Sequence, residues 1–596
     1  MILQSLKEYY ERKAADPQSD IAPLGWEKKA FPFLAVINLQ GDFLWFSDTR
    51  EKQGKKTIAK IYTVPSLGEK KGNGIKANLF WENIEYLFGI PLKENSKPER
   101  IEQQHTAFID KIHTLCKTLN TIPDSLRAVC TFLERLDTKV IQSSELWEDV
   151  KSENRAILLA INTNDGVVPV TDMPDVQDAI TAYNSQQTNE AEGICLVSGE
   201  RTVLKKLEAP IHGVFGANTT GANLVAVNNK VSGTSNGGQT PAFASFMKEQ
   251  GDNSPIGEKA SLAYTTALNT LLSKDSRQRL LIGDATTVFW ADRSCDFEDD
   301  FADFFKEPPT DDPDRLTMHV RSLLQAVDTG AWVSDEEPTR FFVLGLSPNA
   351  ARISVRFWHT GTVAELAERF ARYFHDLEIV HRSNEKDHLS LFRLLVATAQ
   401  QGKAENIAPN LAGSMMRAIL EGLPFPESLF QAVLVRIKAE RNVTYARAKI
   451  VKGCLNRKLQ FTPNQERSLS VSLDKDNANV GYRLGRLFAT LEKIQIEAIK
   501  GNSAKLPERS ATIRDRFYAA ASTSPLTVFG NLMRLKNYHL AKLENPGRRT
   551  NFEKILCEIL DAIQEFPAHL SMDDQGRFAI GYYHQMQFFY PNTENQ

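Results

Sequence analysis

At 596 residues the chain exceeds what one hydrophobic core supports, so two or more domains are expected. Its 42% apolar and 24% charged residues are those of a globular protein, and a formal net charge of −3 excludes a uniform polycation that grips phosphate over its whole surface. Cys116, Cys130, Cys195, Cys295, Cys454 and Cys557 contain no CxxC pair, which argues against a structural zinc site or a disulfide framework. No apolar run approaches the roughly 18 residues of a membrane span, so a soluble chain in a reducing cytoplasm is expected.

The opening "MILQSLKEYYERK" carries acidic residues and no apolar core of a signal peptide, so it is read as a first helix. Phe31–Thr49, "FPFLAVINLQGDFLWFSDT", is two apolar runs around a Gly-Asp turn and predicts a hairpin. "KTIAKIYTVP" continues with period-two alternation, and "RAILLAIN" and "GICLVSGE" read as buried strands. Arg340–His359 predicts another hairpin, turning at Ser-Pro-Asn. Beyond His359 the strand signals stop. "VAELAERFARYFHDLEIV", "HLSLFRLLVATAQQ", "SMMRAILEG", "ESLFQAVLVRIKAERN" and "TYARAKIVKGCLNRKL" all carry apolar residues at helical spacing. A polar break near 464–479 precedes a last helical block from about Val480 to Phe566. The expectation is an irregular α+β part over 1–360, a helical connecting region over 361–470 and an all-α bundle over 471–596.

Charge is segregated along the chain. Arg50–Lys76 holds eight basic residues against Glu51 and Glu69, and Asp292–Asp314 holds ten carboxylates against Arg293 and Lys306. Ala209–Lys248 holds no carboxylate in forty residues, where the chain average would place about five. The acidic run "DFEDDFADFF" does not match calcium-loop spacing, and its interleaved Phe residues suggest an amphipathic segment with a solvated or partner-facing acidic side. His375-Asp376 is an adjacent pair of the type metal phosphohydrolases use, but it sits in an amphipathic helical pattern without the further ligands that such a centre needs. There is no GxxxxGK[ST] or HExxH.

Two segments suit nucleic acid better. In "SLGEKKGNGIKANLFWENIEYLFG", Lys70, Lys71 and Lys76 supply charge for phosphates, Gly72 and Gly74 permit close backbone approach, and Asn73 can meet a base edge. In "GANLVAVNNKVSGTSNGGQTPAFASF", Asn228, Asn229, Ser232, Thr234, Ser235, Asn236 and Gln239 offer short amides and hydroxyls suited to the minor groove. The missing carboxylates are those phosphate would repel, and Lys230 is the single charge in the middle.

These blocks resemble the large subunit of the type I-C CRISPR Cascade complex. The likeness runs along essentially the whole chain, through "MILQSLKEYYERK", "NGIKANLFWENIEYLFG", "GVFGANTTGANLVAVNNKVSGTSNGGQTPAFASF", "RFFVLGLSPNAARISVRFWHTGTVAEL" and "IAPNLAGSMMRAILEGLPFPESLFQAVLVRI". The resemblance implies a subunit with no catalytic residue, metal or cofactor, working with a crRNA, backbone subunits, a foot subunit and small subunits. It would recognise the protospacer-adjacent motif (PAM) in double-stranded DNA, start strand separation and R-loop formation, and help recruit a separate helicase-nuclease, while guide pairing reads the rest. Residues 1–360 would then be the motif-recognition and assembly domain, and the last bundle the equivalent of the small subunit. Asn73, Asn228, Asn229, Ser232, Asn236 and Gln239 are the expected motif readers, Lys70, Lys71 and Lys76 the phosphate contacts, and Lys230 the strand-separating wedge. Arg483, Arg486, Lys493, Arg534 and Lys536 are expected to hold the displaced strand, and Val471, if encoded by GTG, is a candidate internal start for a separate small subunit. The alternative is a metal-dependent nuclease subunit using His375-Asp376.

Overall fold

The computed structural model describes residues 1–53, 56–67, 74–92, 97–186, 192–227, 230–231, 240–241, 250–283, 285–331, 338–350, 352–462, 467–501 and 511–590. Two compact units result: Met1–Ser276 with Leu346–Val355, and Arg277–Gly345 with Arg356–Gln596.

In the first unit, Phe33–Ile37 pairs antiparallel with Phe43–Asp48, as the hairpin reading expects. The Asn38 carboxamide closes the turn by accepting from the Gln40 and Asp42 amides at 3.0 and 2.8 Å. Gly41 takes φ +85°, and a Cβ there would stand 2.8 Å from the Phe132 amide nitrogen, so only glycine fits this turn against the Asp124–Glu134 helix. Phe33–Ile37 also pairs in parallel with Ile157–Thr163. A parallel pair needs a long crossover, which the helices Pro98–Lys117, Asp124–Glu134 and Trp147–Glu153 supply. Both strands are therefore covered on two faces and read as unbroken apolar runs, "FLAVI" and "ILLAI". Arg50 heads the basic run yet serves the fold: it pairs with Asp48, Asp149 and Glu153 and lies 4.6 Å from the Phe33 ring.

"GICLVSGE" is a correction. Only Glu192–Ile194 is strand, paired with Arg201–Val203, and Ile194 and Leu196 are 67% and 65% exposed. The Cys195 sulfur accepts the amides of Val197 and Ser198, and the Gly199 amide returns to the Cys195 carbonyl at 2.8 Å, so the chain turns where a strand was expected.

Arg279–Ile282, Ala285–Ala291, Arg340–Asn349 and Arg352–Thr362 form a sheet in that order, the hairpin tip Leu346–Val355 being grouped with the first unit and the rest with the second. The hairpin turns at Ala350, with φ +52°, two residues beyond the Pro expected there. After it the described residues are helical, beginning with Val363–Asp376, whose Thr362 and Glu365 form a reciprocal capping box. The segment "HLSLFRLLVATAQQ" yields a helix only over Leu391–Val396.

Phe297, Phe301, Phe304 and Phe305 of the acidic run are at most 3% exposed and interlock with Phe341 and Phe370. Burial of each such ring is worth about 1.5–3 kcal/mol, which explains the Phe spacing. Four of the ten acids of the run meet local cations: Asp292–Arg340 at 2.9 Å, Asp303–Arg315 at 2.8 Å, Glu307–Arg393 at 3.0 Å, and Asp314 with Lys386. Much of the run is thus tied down within its own unit, rather than being a bare acidic face.

The last bundle is built on Val480–Lys500, which crosses Met572–Phe589 at backbone contact. A Cβ on Gly485 would lie 2.0 Å from the Phe578 carbonyl oxygen, and one on Gly581 2.0 Å from that of Tyr482. Helices Ile513–Thr523, Pro525–Ala541 and Pro546–Leu560 pack around the pair. His584 is buried at 1% exposure with its Nδ1 2.9 Å from the Tyr482 hydroxyl, and burial pushes its pKa down to about 3. Burial likewise holds His388 at about 4.

Unfolding frees each imidazole to titrate near 6.5, so below that pH the unfolded state binds protons the folded state refuses. Stability contributed by His584 is therefore present above about pH 6.5 and lost as pH falls toward 3. Urea titrations of the wild type and His584→Gln between pH 7 and 4.5 should diverge, the wild type losing about 1.4 kcal/mol more per pH unit. Parallel curves would show that His584 titrates normally.

Candidate nucleic-acid interface

The carboxylate-free segment is rooted in the first unit at a clamped neck. Ile211 and Ala222 form an antiparallel bridge, and a Cβ on Gly221, at φ +81°, would stand 2.7 Å from Pro210 Cβ. Asn269, on the Glu258–Leu271 helix, accepts from the His212 amide at 2.8 Å and donates to the Pro210 carbonyl at 3.1 Å. Asn223 donates its amide to the Glu208 carbonyl at 2.9 Å, while its own carbonyl accepts from the Ile353 amide at 3.0 Å.

Glu208 is the carboxylate that borders this segment, and it is turned inward. It is 8% exposed and accepts the hydroxyls of Ser261 and, at 3.0 Å, Tyr264. Burial pushes its pKa up, and the two hydroxyls partly offset that shift. A small cleft lined by Lys206, Glu208, Asn223 and Ser254 opens beside the neck.

Beyond Val227 the described backbone is a short ribbon, Lys230–Val231 antiparallel to Thr240–Pro241, with Lys230 opposite Pro241. The wedge candidate thus lies on a β-ribbon. Asn228, Asn229, Ser232, Asn236 and Gln239 lie outside the described residues, as do Lys70, Lys71 and Asn73.

The lysine loop is described from Gly74 onward, and its return is rigid. Asn78 donates twice to the Glu82 carboxylate, at 2.8 and 3.0 Å, and the Trp81 indole donates to the Pro65 carbonyl at 3.0 Å. Asn83 caps the Ile84–Phe88 helix, which ends at left-handed Gly89. Lys76 is half-buried, and its backbone hydrogen-bonds the Tyr86 hydroxyl.

In the second unit the expected displaced-strand residues divide. Arg486 is fully buried, donating to Gln585 at 3.0 Å and to Glu558 at 2.7 Å, and Arg483 is 7% exposed. Lys493 pairs with Glu497 at 2.9 Å beneath the Tyr590 ring, at 3.9 Å. Arg486 and Lys493 are engaged within the bundle, and none of the three is exposed on its surface, because Val480–Lys500 is the central helix rather than an amphipathic outer one. Arg534 is exposed and Lys536 half-buried on Pro525–Ala541. That helix lies in a stretch, Arg516–Leu543, with no Asp or Glu. Tyr538 is 59% exposed one turn beyond Arg534, with Lys542 Nζ 4.3 Å from its ring centroid. Arg516, Arg534, Lys536 and Lys542 make no ion pair among the described residues, whereas Arg548 and Arg549 are committed to Glu497 and Glu553. Tyr538 escapes a count of charges; the acid-free run with a tyrosine four residues after Arg534 was the available signal.

A family model described as "CRISPR-associated protein (Cas_Csd1)" matches residues 6–590. The chain belongs to the Csd1 family. This is the type I-C large-subunit family, and the match spans both units. No curated protein matches the chain.

In this Csd1-family chain, the His375-Asp376 pair does not converge on one site. His375 is exposed, and Asp376, at 3% exposure, points inward to Arg457 at 2.9 Å and Gln460 at 3.1 Å. Arg457 is itself fully buried, donating also to the Leu423 carbonyl and lying 5.5 Å from the Phe425 ring. Burial raises the Asp376 pKa despite the guanidinium, so the pair contributes little net stability while each member depends on the other. Among the described residues no group of three His, Cys, Asp or Glu side chains is placed to hold a metal ion.

Arg457→Met should destabilise the second unit by about 3–5 kcal/mol in urea, because it strands a buried carboxylate. The double variant Asp376→Leu/Arg457→Met should recover most of that loss. A double variant as unstable as the single one would mean that packing, not the stranded charge, sets the cost.

Proposed function

We propose that this chain is the non-catalytic DNA-reading subunit of a type I-C CRISPR surveillance complex. The observation that carries the reading is the ribbon-bearing, carboxylate-free segment on its clamped neck, within a chain of the Csd1 family. A rigid neck positions the loop before DNA arrives, so contact costs little ordering of the support. Amides and hydroxyls of Asn228, Asn229, Ser232, Asn236 and Gln239 would read the PAM in the duplex, with Asn73 beside the phosphate contacts of Lys70, Lys71 and Lys76. Lys230 would enter between the strands. Unstacking a base step costs a few kcal/mol, more than one ammonium supplies, so opening must be driven by guide pairing and by capture of the displaced strand. R-loop growth would then expose the chain to the helicase-nuclease.

Capture of the displaced strand is assigned to the Arg534, Lys536, Tyr538 and Lys542 surface, in place of the buried Arg483 and Arg486. Exposed tyrosine beside unpaired cations is the combination that holds single strands without regard to sequence, each stacked base being worth about 1–3 kcal/mol.

The deciding experiment is binding of the assembled complex to duplexes with each PAM base altered, at fixed salt, since phosphate contacts make affinity depend on ionic strength. Asn229→Ala should flatten discrimination between PAM bases, and Lys230→Ala should slow R-loop opening more than it weakens duplex capture. Equal loss of both by Lys230→Ala would rule out a wedge. Duplex affinity indifferent to every PAM base would leave a purely architectural subunit, and Mg²⁺- or Mn²⁺-dependent cleavage abolished by His375→Ala would establish the nuclease instead. Tyr538→Ala should speed R-loop collapse by roughly 5- to 100-fold while leaving PAM capture unchanged.

A further inference from the structure

The helices Pro98–Lys117 and Asp124–Glu134 run side by side in the first unit, and two contacts register them. His113 Nε2 lies 3.8 Å from the Glu134 carboxylate, and one turn along the first helix the Cys116 and Cys130 sulfurs stand 3.4 Å apart, close enough to share a hydrogen bond. Cys116 is 7% exposed and Cys130 is half-buried, so a small reagent reaches the pair from the Cys130 side. Of the remaining cysteines, Cys195 and Cys454 are buried, Cys295 is half-buried and Cys557 is exposed.

We propose that Cys116 and Cys130 form a redox-modification site, a dithiol that closes to an intramolecular disulfide by exchange with a low-molecular-weight disulfide such as oxidised glutathione. One thiolate of the pair attacks one sulfur of the small disulfide, forming a mixed disulfide and releasing one small thiolate. Its partner, on losing its proton, then attacks the cysteine sulfur of that mixed disulfide, forming the Cys116–Cys130 bond and expelling the second. The two cysteines lose two electrons and two protons together, and the small disulfide is reduced to two thiols. The sulfurs must close from 3.4 Å to about 2.05 Å.

Closure would tie together the helical layer that backs the mixed sheet. The same Pro98–Lys117 helix holds the return of the lysine loop, through His105 Nδ1, 2.9 Å from the Tyr86 carbonyl. A bond across fourteen residues of chain restricts the unfolded state, so the oxidised form should melt later. The site is independent of the DNA-reading assignment, and a reducing cytoplasm would keep it open until the thiol pool becomes oxidised.

The test uses the full chain incubated with excess oxidised glutathione, followed by alkylation, intact mass and peptide mapping. The expected product lacks the mass of two hydrogen atoms, yields a Cys116–Cys130 linked peptide, and melts roughly 5 °C higher until dithiothreitol is added. Cys116→Ser and, at the half-buried position, Cys130→Ser should each abolish the linkage and the shift while leaving the reduced melting temperature of the chain essentially unchanged. A persistent glutathione adduct on Cys130, a link to any other cysteine, or no change in mass would overturn the proposal.

Discussion

The architecture of the second unit rests on one steric fact: two helices meet with no side chain between them. At Gly485 and Gly581 the backbones of Val480–Lys500 and Met572–Phe589 touch, and any Cβ would collide with a carbonyl oxygen of the opposing helix. Such proximity forces whatever else those helices carry into mutual contact. Tyr482 therefore meets His584, Arg486 meets Gln585, and Glu492 accepts from Tyr582 at 2.7 Å and Thr512 at 2.8 Å. Buried polar groups are costly without partners, and these pairs supply them for much of the seam. The cations of the central helix are thereby spent on structure, and the outer helix Pro525–Ala541 becomes the surface with charge to spare.

The first unit solves a different problem, how to hold a long polar excursion without burying bare polar groups. Its answer is to spend amides and hydroxyls at the base of the excursion. Asn223, Asn269, Ser261 and Tyr264 knit the neck to the Glu258–Leu271 helix, and Glu208 is retired into that network. The inward turn of Glu208 takes its carboxylate off the surface at the root of a segment whose own sequence carries no acid.

Much of this was legible in the sequence where a pattern was local. The Asn38–Asp42 turn, the unbroken strand at Ile157 and the helices from Val363 onward follow from turn chemistry and periodicity that act within a few residues. What was not legible depended on partners far along the chain. The periodicity of Val480–Lys500 marks Leu484, Leu487, Leu491, Ile494 and Ala498 as an apolar stripe, of which all but the half-buried Ala498 are buried, yet says nothing about Arg486 on the other side, which is covered by residues almost a hundred positions away. The spacing Gly481-x-x-x-Gly485 was the available clue to a second buried face. In the same way Cys195 redirects its own strand by accepting backbone amides, a role that a free thiol in an apolar run does not announce. Asp376 looked like half of a metal pair only because Arg457 is eighty-one residues downstream.

The local ion pairs of the Asp292–Asp314 segment carry an implication for encounter kinetics. A net charge of −3 describes a molecule that a polyanion should approach with indifference. With Asp292, Asp303, Glu307 and Asp314 paired at short range with Arg340, Arg315, Arg393 and Lys386, the field of those four pairs falls off as that of dipoles, and the run weighs less at a distance than its ten acids suggest.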